Sequence, residues 1–129
     1  MNLRTLFAAG LALVLASASA GSASAAGDPV KGKADFARCT GCHVLTGPGF
    51  AGPALAGVYG RKAGSAPGYD YSKALASSGL VWNDETLDAF LDAPTKVVPG
   101  AAMYSSVPDA QDRADLIAYL KTLSPPAAP

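Results

Sequence analysis

Apolar residues recur at helical spacing most clearly between Asp109 and Leu123, where Leu116, Ile117, Tyr119, Leu120 and Leu123 share one side and Asp112, Asp115 and Lys121 lie largely on the other. The pattern predicts an amphipathic helix with its charged face in water. Toward the other end, Asp28-Pro29 offers a carboxylate N-cap followed by proline at the first helical position, which predicts a helix running to about Arg38. Gly32 and Phe36 stand four apart on that helix and share a face; glycine there costs helix stability but suits close approach of a second backbone. The two helices are expected to meet, Gly32 and Phe36 against Leu116 and Tyr119. Between them, Ser72 predicts a short capped helix to about Ser77, and Asn83 with Asp84 and Glu85 a clearer one to about Asp92, which Pro94 stops. Gly47 to Gly68 is rich in glycine and proline and predicts turns rather than strands. A loop that long needs a reason in a compact domain, and wrapping around a bound group is one.

Arg4 followed by the apolar run Leu6 to Ala18 and then by Ala23-Ser24-Ala25 reads as a secretory signal, with cleavage expected after Ala25 or Ala26. The run is too short for a membrane span, though an uncleaved anchor is the alternative. The expected organisation is a signal peptide over 1–26, one folded domain over 27–124 and a disordered Pro- and Ala-rich tail over 125–129. Export makes the periplasm the natural compartment. Of ten Lys and Arg, removal of Arg4 leaves nine against ten Asp and Glu, which excludes a nucleic-acid binder by charge. A domain of about a hundred residues is marginal on a polypeptide core alone, so a large apolar prosthetic group would supply much of the buried surface.

Such a group has an attachment sequence. Cys39-Thr40-Gly41-Cys42-His43 places two thiols two residues apart with an imidazole next in line, the spacing by which adjacent vinyl groups of one porphyrin take thioether bonds while the His lies under the iron. A redox dithiol is one alternative, but no β-branched run precedes Cys39 to suggest a thioredoxin-like unit. Zinc is another; the chain has two Cys and one His, so a fourth ligand would have to be a carboxylate. Met103, the only Met left once the expected signal is removed, follows Pro99-Gly100-Ala101-Ala102 in a turn rather than on an apolar stripe, making it a candidate second axial ligand more than a core filler.

These residues, with Gly52-Pro53-Ala54-Leu55, Gly60-Arg61-Lys62-Ala63-Gly64, Ala66-Pro67-Gly68-Tyr69, Trp82 and Asp115-Leu116-Ile117-Ala118-Tyr119-Leu120-Lys121, resemble in identity and order class I cytochrome c, the mitochondrial type and its close bacterial relatives. The likeness runs from Gly32 to Leu123. It implies an all-α fold, with N- and C-terminal helices packed crosswise and shorter helices and long loops wrapped around a covalently bound haem. It implies one haem c held through Cys39 and Cys42, with His43 and Met103 on the iron. The Pro53 carbonyl would take the proton on the far nitrogen of His43, and Arg61, Tyr71 and Trp82 would hold a buried propionate.

The same resemblance implies a monomeric one-electron carrier, not an enzyme and not stably inserted in a membrane. Its partners would be a quinol-oxidising membrane complex as donor, a terminal oxidase or photosynthetic reaction centre as acceptor, or a periplasmic dehydrogenase. Enzymatic use of the haem would require Met103 to leave the iron. Some positions depart from the mitochondrial pattern: Ala101 and Ala102 replace Thr and Lys, Phe90 replaces Tyr and Leu75 replaces Asn, which implies a drier pocket. Lys96 is the candidate to replace Met103 at high pH, and the docking ring of Lys is thinned to Lys31, Lys33, Lys62, Lys73 and Lys96.

Overall fold

The computed structural model describes residues 26–123 and Pro125. The expected signal segment up to residue 25, and the expected tail apart from Pro125, lie outside the described residues. Five α-helices follow in order among the described residues: α1 Pro29–Asp35, α2 Lys73–Ala76, α3 Asp84–Asp92, α4 Pro94–Val97 and α5 Ala110–Thr122. Among the described residues the sole β feature is an isolated antiparallel bridge between Lys62 and Val81.

Local chemistry sets the helix starts where the sequence puts them. The Asp28 carboxylate accepts from the Val30 and Lys31 N–H groups at 2.8 and 3.4 Å, with Pro29 at the first helical position. Asn83 and Thr86 form a reciprocal capping box at α3, Ser72 caps α2, and Asp109 accepts from the Gln111 and Asp112 N–H groups at α5. α1 ends at Asp35 and tightens into a 3₁₀ turn over Phe36–Cys39. That turn is carried on by bonds from the Cys42 and His43 N–H groups to the Cys39 carbonyl, at 3.1 and 2.9 Å, which keep the whole Cys39–His43 stretch coiled at the end of the first helix.

α1 crosses α5 with almost no gap. A Cβ on Gly32 would run into the Asp115 main-chain oxygen and lie 2.9 Å from the Tyr119 Cβ, so only glycine allows this approach. Phe36 and Tyr119 meet edge to face with centroids 5.2 Å apart. Gly32 thus rests on Asp115 and Tyr119, while Phe36 and Leu116 share the buried core, Leu116 at 1% exposure.

The solvent face assigned to α5 is corrected. Asp115 is 3% exposed and Arg113 9%, because α1 covers one flank of the helix and α3 the other. Both of these α5 charges are paired within the chain. Asp115 accepts from the Asp28 N–H at 2.8 Å and the Gln111 side-chain amide at 2.9 Å, which hold its carboxyl below the usual range. Lys121, at the far end of the helix, does face water, where it pairs with Asp84 at 2.6 Å and lies 5.0 Å from the centre of the Tyr59 ring. Hydrogen bonds from Lys121 and Tyr59 hold the Asp84 carboxyl below its ordinary value.

Candidate functional site

Between the helix crossing and the irregular chain after Cys39 lies a cavity of about 440 Å³. Cys39, Cys42, His43, Pro53, Arg61, Tyr71, Trp82 and Met103 all line it, although they come from positions spread over most of the described chain. Its walls are otherwise mainly apolar, with Leu55, Val58, Leu75, Phe90, Leu116 and Leu120 among them.

Cys39 is half-buried and Cys42 exposed, with no disulfide between them. Burial pushes the Cys39 thiol above its ordinary pKa, against the pull of the neighbouring Arg38 charge. His43 points its Nδ1 at the Pro53 carbonyl, 2.8 Å away. A carbonyl can only accept, so in the neutral ring Nδ1 carries the hydrogen and Nε2 keeps its lone pair for a metal. Gly52 lies flat against the ring: a Cβ there would come 2.7 Å from Cε1 and 2.8 Å from Nδ1 of His43. This supporting role was not read from the sequence, where Gly52 entered only as a landmark; the available signal was a Gly directly before the Pro whose carbonyl receives the imidazole.

Arg61 and Trp82 are brought together by main-chain pairing. The Trp82 N–H donates to the Arg61 carbonyl at 2.9 Å and the Gly60 N–H to the Trp82 carbonyl at 2.6 Å, with Gly60 at φ +83° making the turn into that pairing. Arg61 donates through Nη1 to the Ala56 carbonyl (3.2 Å) and through Nη2 to the Ala54 carbonyl (3.0 Å), but its buried Nε–H has no partner among the described residues. Burial draws this guanidinium below its ordinary pKa. The Tyr71 oxygen accepts from the Ala66 N–H at 3.1 Å, leaving its own hydrogen to donate, and Trp82 is buried against Phe90 with ring centroids 4.9 Å apart.

Met103 is half-buried on the cavity wall. Phe90 and Leu75, the departures noted in the sequence, present hydrocarbon to the same space. Lys96 stands exposed on α4, outside the lining, and Lys31, Lys33, Lys62 and Lys73 are likewise exposed.

The donor set suits haem c better than the alternatives. Two thiols, an imidazole with a free Nε2 and a thioether face an apolar slot, and an unsatisfied buried guanidinium N–H calls for an anionic oxygen such as a propionate. Zinc would need four hard or thiolate ligands, and among the described residues no three His, Cys, Asp or Glu side chains gather to hold a metal ion.

Comparisons with known proteins point the same way. The family model for cytochrome c matches residues 29–124. A cytochrome c2 of Rhodomicrobium vannielii is 49% identical over 104 residues, spanning 78% of this chain and 83% of the relative. Among solved structures, cytochrome c2 from Rhodospirillum centenum superposes with a TM-score of 0.72 at 36% identity, covering 77% of this chain and 100% of that one. Cytochrome cH from Methylobacterium extorquens gives 0.71 at 44% identity, covering 74% and 99%.

Proposed function

Since the chain belongs to the cytochrome c family, a family of electron carriers on covalently attached haem c rather than enzymes, we propose that it is a periplasmic one-electron carrier with a single low-spin haem c between His43 and Met103. Cys39 and Cys42 hold the group by thioether bonds, His43 binds the iron through Nε2 and Met103 through its sulfur, and Arg61, Tyr71 and Trp82 hold a propionate. When bound, the haem supplies an iron that exchanges one electron between ferrous and ferric states.

The chain's own residues would shape that exchange in three ways. The Pro53 carbonyl, accepting from Nδ1, fixes the ring orientation of His43 and enriches Nε2 as a donor. His43 and Met103 would be neutral ligands in apolar walls, an arrangement that raises the potential, and with both bound the iron would offer no place to oxygen or substrate. Arg61, Tyr71 and Trp82 offer N–H and O–H groups to an anion that could not otherwise stay charged in such surroundings.

Export through a signal over 1–26, with the folded domain beginning at about Gly27, belongs to the same reading. Supporting it, Gly27 fits closely on α5, where an added Cβ would come 2.9 Å from the Ala118 Cβ. The donor would be a quinol-oxidising membrane complex, or a periplasmic dehydrogenase, and the acceptor a terminal oxidase or photosynthetic reaction centre.

The observation that carries the ligation is the convergence of the Cys pair, His43 and Met103 on one apolar cavity while the Nδ1 of His43 is committed to Pro53. Production in a host equipped for haem attachment tests it. A mass equal to the chain from about Gly27 plus one haem, a ferric near-infrared band of methionine ligation, and failure of the reduced protein to take up carbon monoxide at neutral pH are the expected results. Ready carbon monoxide binding, or absence of that band, would rule out Met103 as the resting ligand.

A further inference from the structure

The segment that carries Met103 is pinned only at its ends. The Ala101 N–H donates to the Val98 carbonyl at 2.9 Å, and the Val107 N–H to the Leu91 carbonyl at 2.7 Å; among the described residues, 102–106 make no hydrogen bond in between. How far the thioether projects into the cavity therefore depends on where those two ends are held.

The second pin is reinforced by a residue that does not line the cavity. Arg113, on α5 and 9% exposed, donates through Nη1 to the carbonyls of Val107 (3.0 Å) and Pro108 (2.9 Å). The same guanidinium is oriented by two carboxylates of α3, with Nε on Asp88 at 2.7 Å and Nη1 on Asp92 at 3.2 Å. One planar cation thus ties the end of the methionine segment to two helices at once. We infer that Arg113 is a positioning residue for Met103: it holds the segment in the arrangement that presents the sulfur, and so sets how easily another ligand displaces it. The inference rests on the proposed ligation by Met103.

Displacement opens only if the segment gives way, so any loss of anchoring energy specific to the methionine-on state appears directly as tighter binding of a competitor. Replacing Arg113 by Met leaves two carbonyls without a donor, whereas Asp88 and Asp92 are about half exposed and can be hydrated. Arg113→Lys keeps a charge for one carboxylate but cannot span both carboxylates and both carbonyls from a single ammonium.

The test is titration of the ferric holoprotein with imidazole at one neutral pH, following loss of the methionine band, alongside denaturant unfolding of each variant. Arg113→Met is expected to bind imidazole about tenfold more tightly than the parent, roughly the worth of one charged hydrogen bond, with Arg113→Lys in between. Asp115→Asn weakens the opposite flank of the same helix and is expected to leave imidazole affinity unchanged even as stability falls. Parent-like affinity in both Arg113 variants would overturn the inference, as would an equal shift in Asp115→Asn. Met103→Ala separates the two levels: tight binding there with no shift in the Arg113 variants defeats only the positioning role, whereas parent-like binding in Met103→Ala removes the ligation itself and the inference with it. Arg113→Lys decides the matter should Arg113→Met not fold.

Discussion

At the α1–α5 crossing the chain satisfies its own polar groups, with the Asp115 carboxylate bonded to Asp28 and Gln111 and a glycine removing the last gap between backbones. On the cavity wall, by contrast, the Nε–H of Arg61 has no partner among the described residues, and two thiols and a thioether line the same apolar space. The first region is complete as protein; the second is shaped for a group that the polypeptide does not supply. Glycine makes the contrast concrete, since Gly32 is needed for a backbone and Gly52 for an imidazole.

The largest effect expected from disturbing this division is that of Gly32→Ala. Alanine gains helix propensity, yet its methyl meets the main chain of α5, and backbone cannot rotate aside; a loss of about 3 kcal/mol in denaturant unfolding is expected with the haem spectrum little altered. Gly52→Ala should reverse the signature. Its methyl pushes a side-chain ring, so stability falls by about 1–2 kcal/mol, while the His43 bond to Pro53 is lost and the midpoint potential shifts, as voltammetry would read. Equal spectral effects from the two substitutions would erase the distinction.

A smaller effect is expected from acid. The Asp28 N–H, and next the Gln111 amide, hold the Asp115 carboxyl below its usual range. A depressed folded-state pKa contributes stability that is fully present above the unfolded value, about 4, and is lost as pH falls toward the folded one. Asp115→Asn should therefore be less stable than the parent at neutral pH and show a flatter decline below about pH 4, checked by thermal melts across that range. The smallest effect is that of Lys121→Ala, which removes an exposed ion pair with Asp84 and should cost under about 1 kcal/mol, shrinking further with added salt.

The parts readable along the chain were those whose physics is local. Asp28-Pro29, Ser72 and Asn83 cap helices because each bonds to N–H groups two or three residues on, and the structure keeps each of those expected starts. Asp115 and Arg113 were misassigned or passed over, because periodicity counts one apolar face and α5 has neighbours on two flanks. A charge buried by a helix more than eighty residues away leaves no local trace.

The same boundary runs through the site. The proposed attachment sequence Cys39-Thr40-Gly41-Cys42-His43 was legible by itself, since attachment would need only reach and spacing within one turn. That His43 leans on Pro53 with Gly52 beneath it, that Arg61 comes beside Trp82, and that Arg113 anchors the far end of the Met103 segment are facts of tertiary structure. Sequence determined which groups exist and how each short stretch coils or turns. Only folding decided which distant groups share one cavity, because burial and hydrogen bonding between remote segments depend on how they pack together.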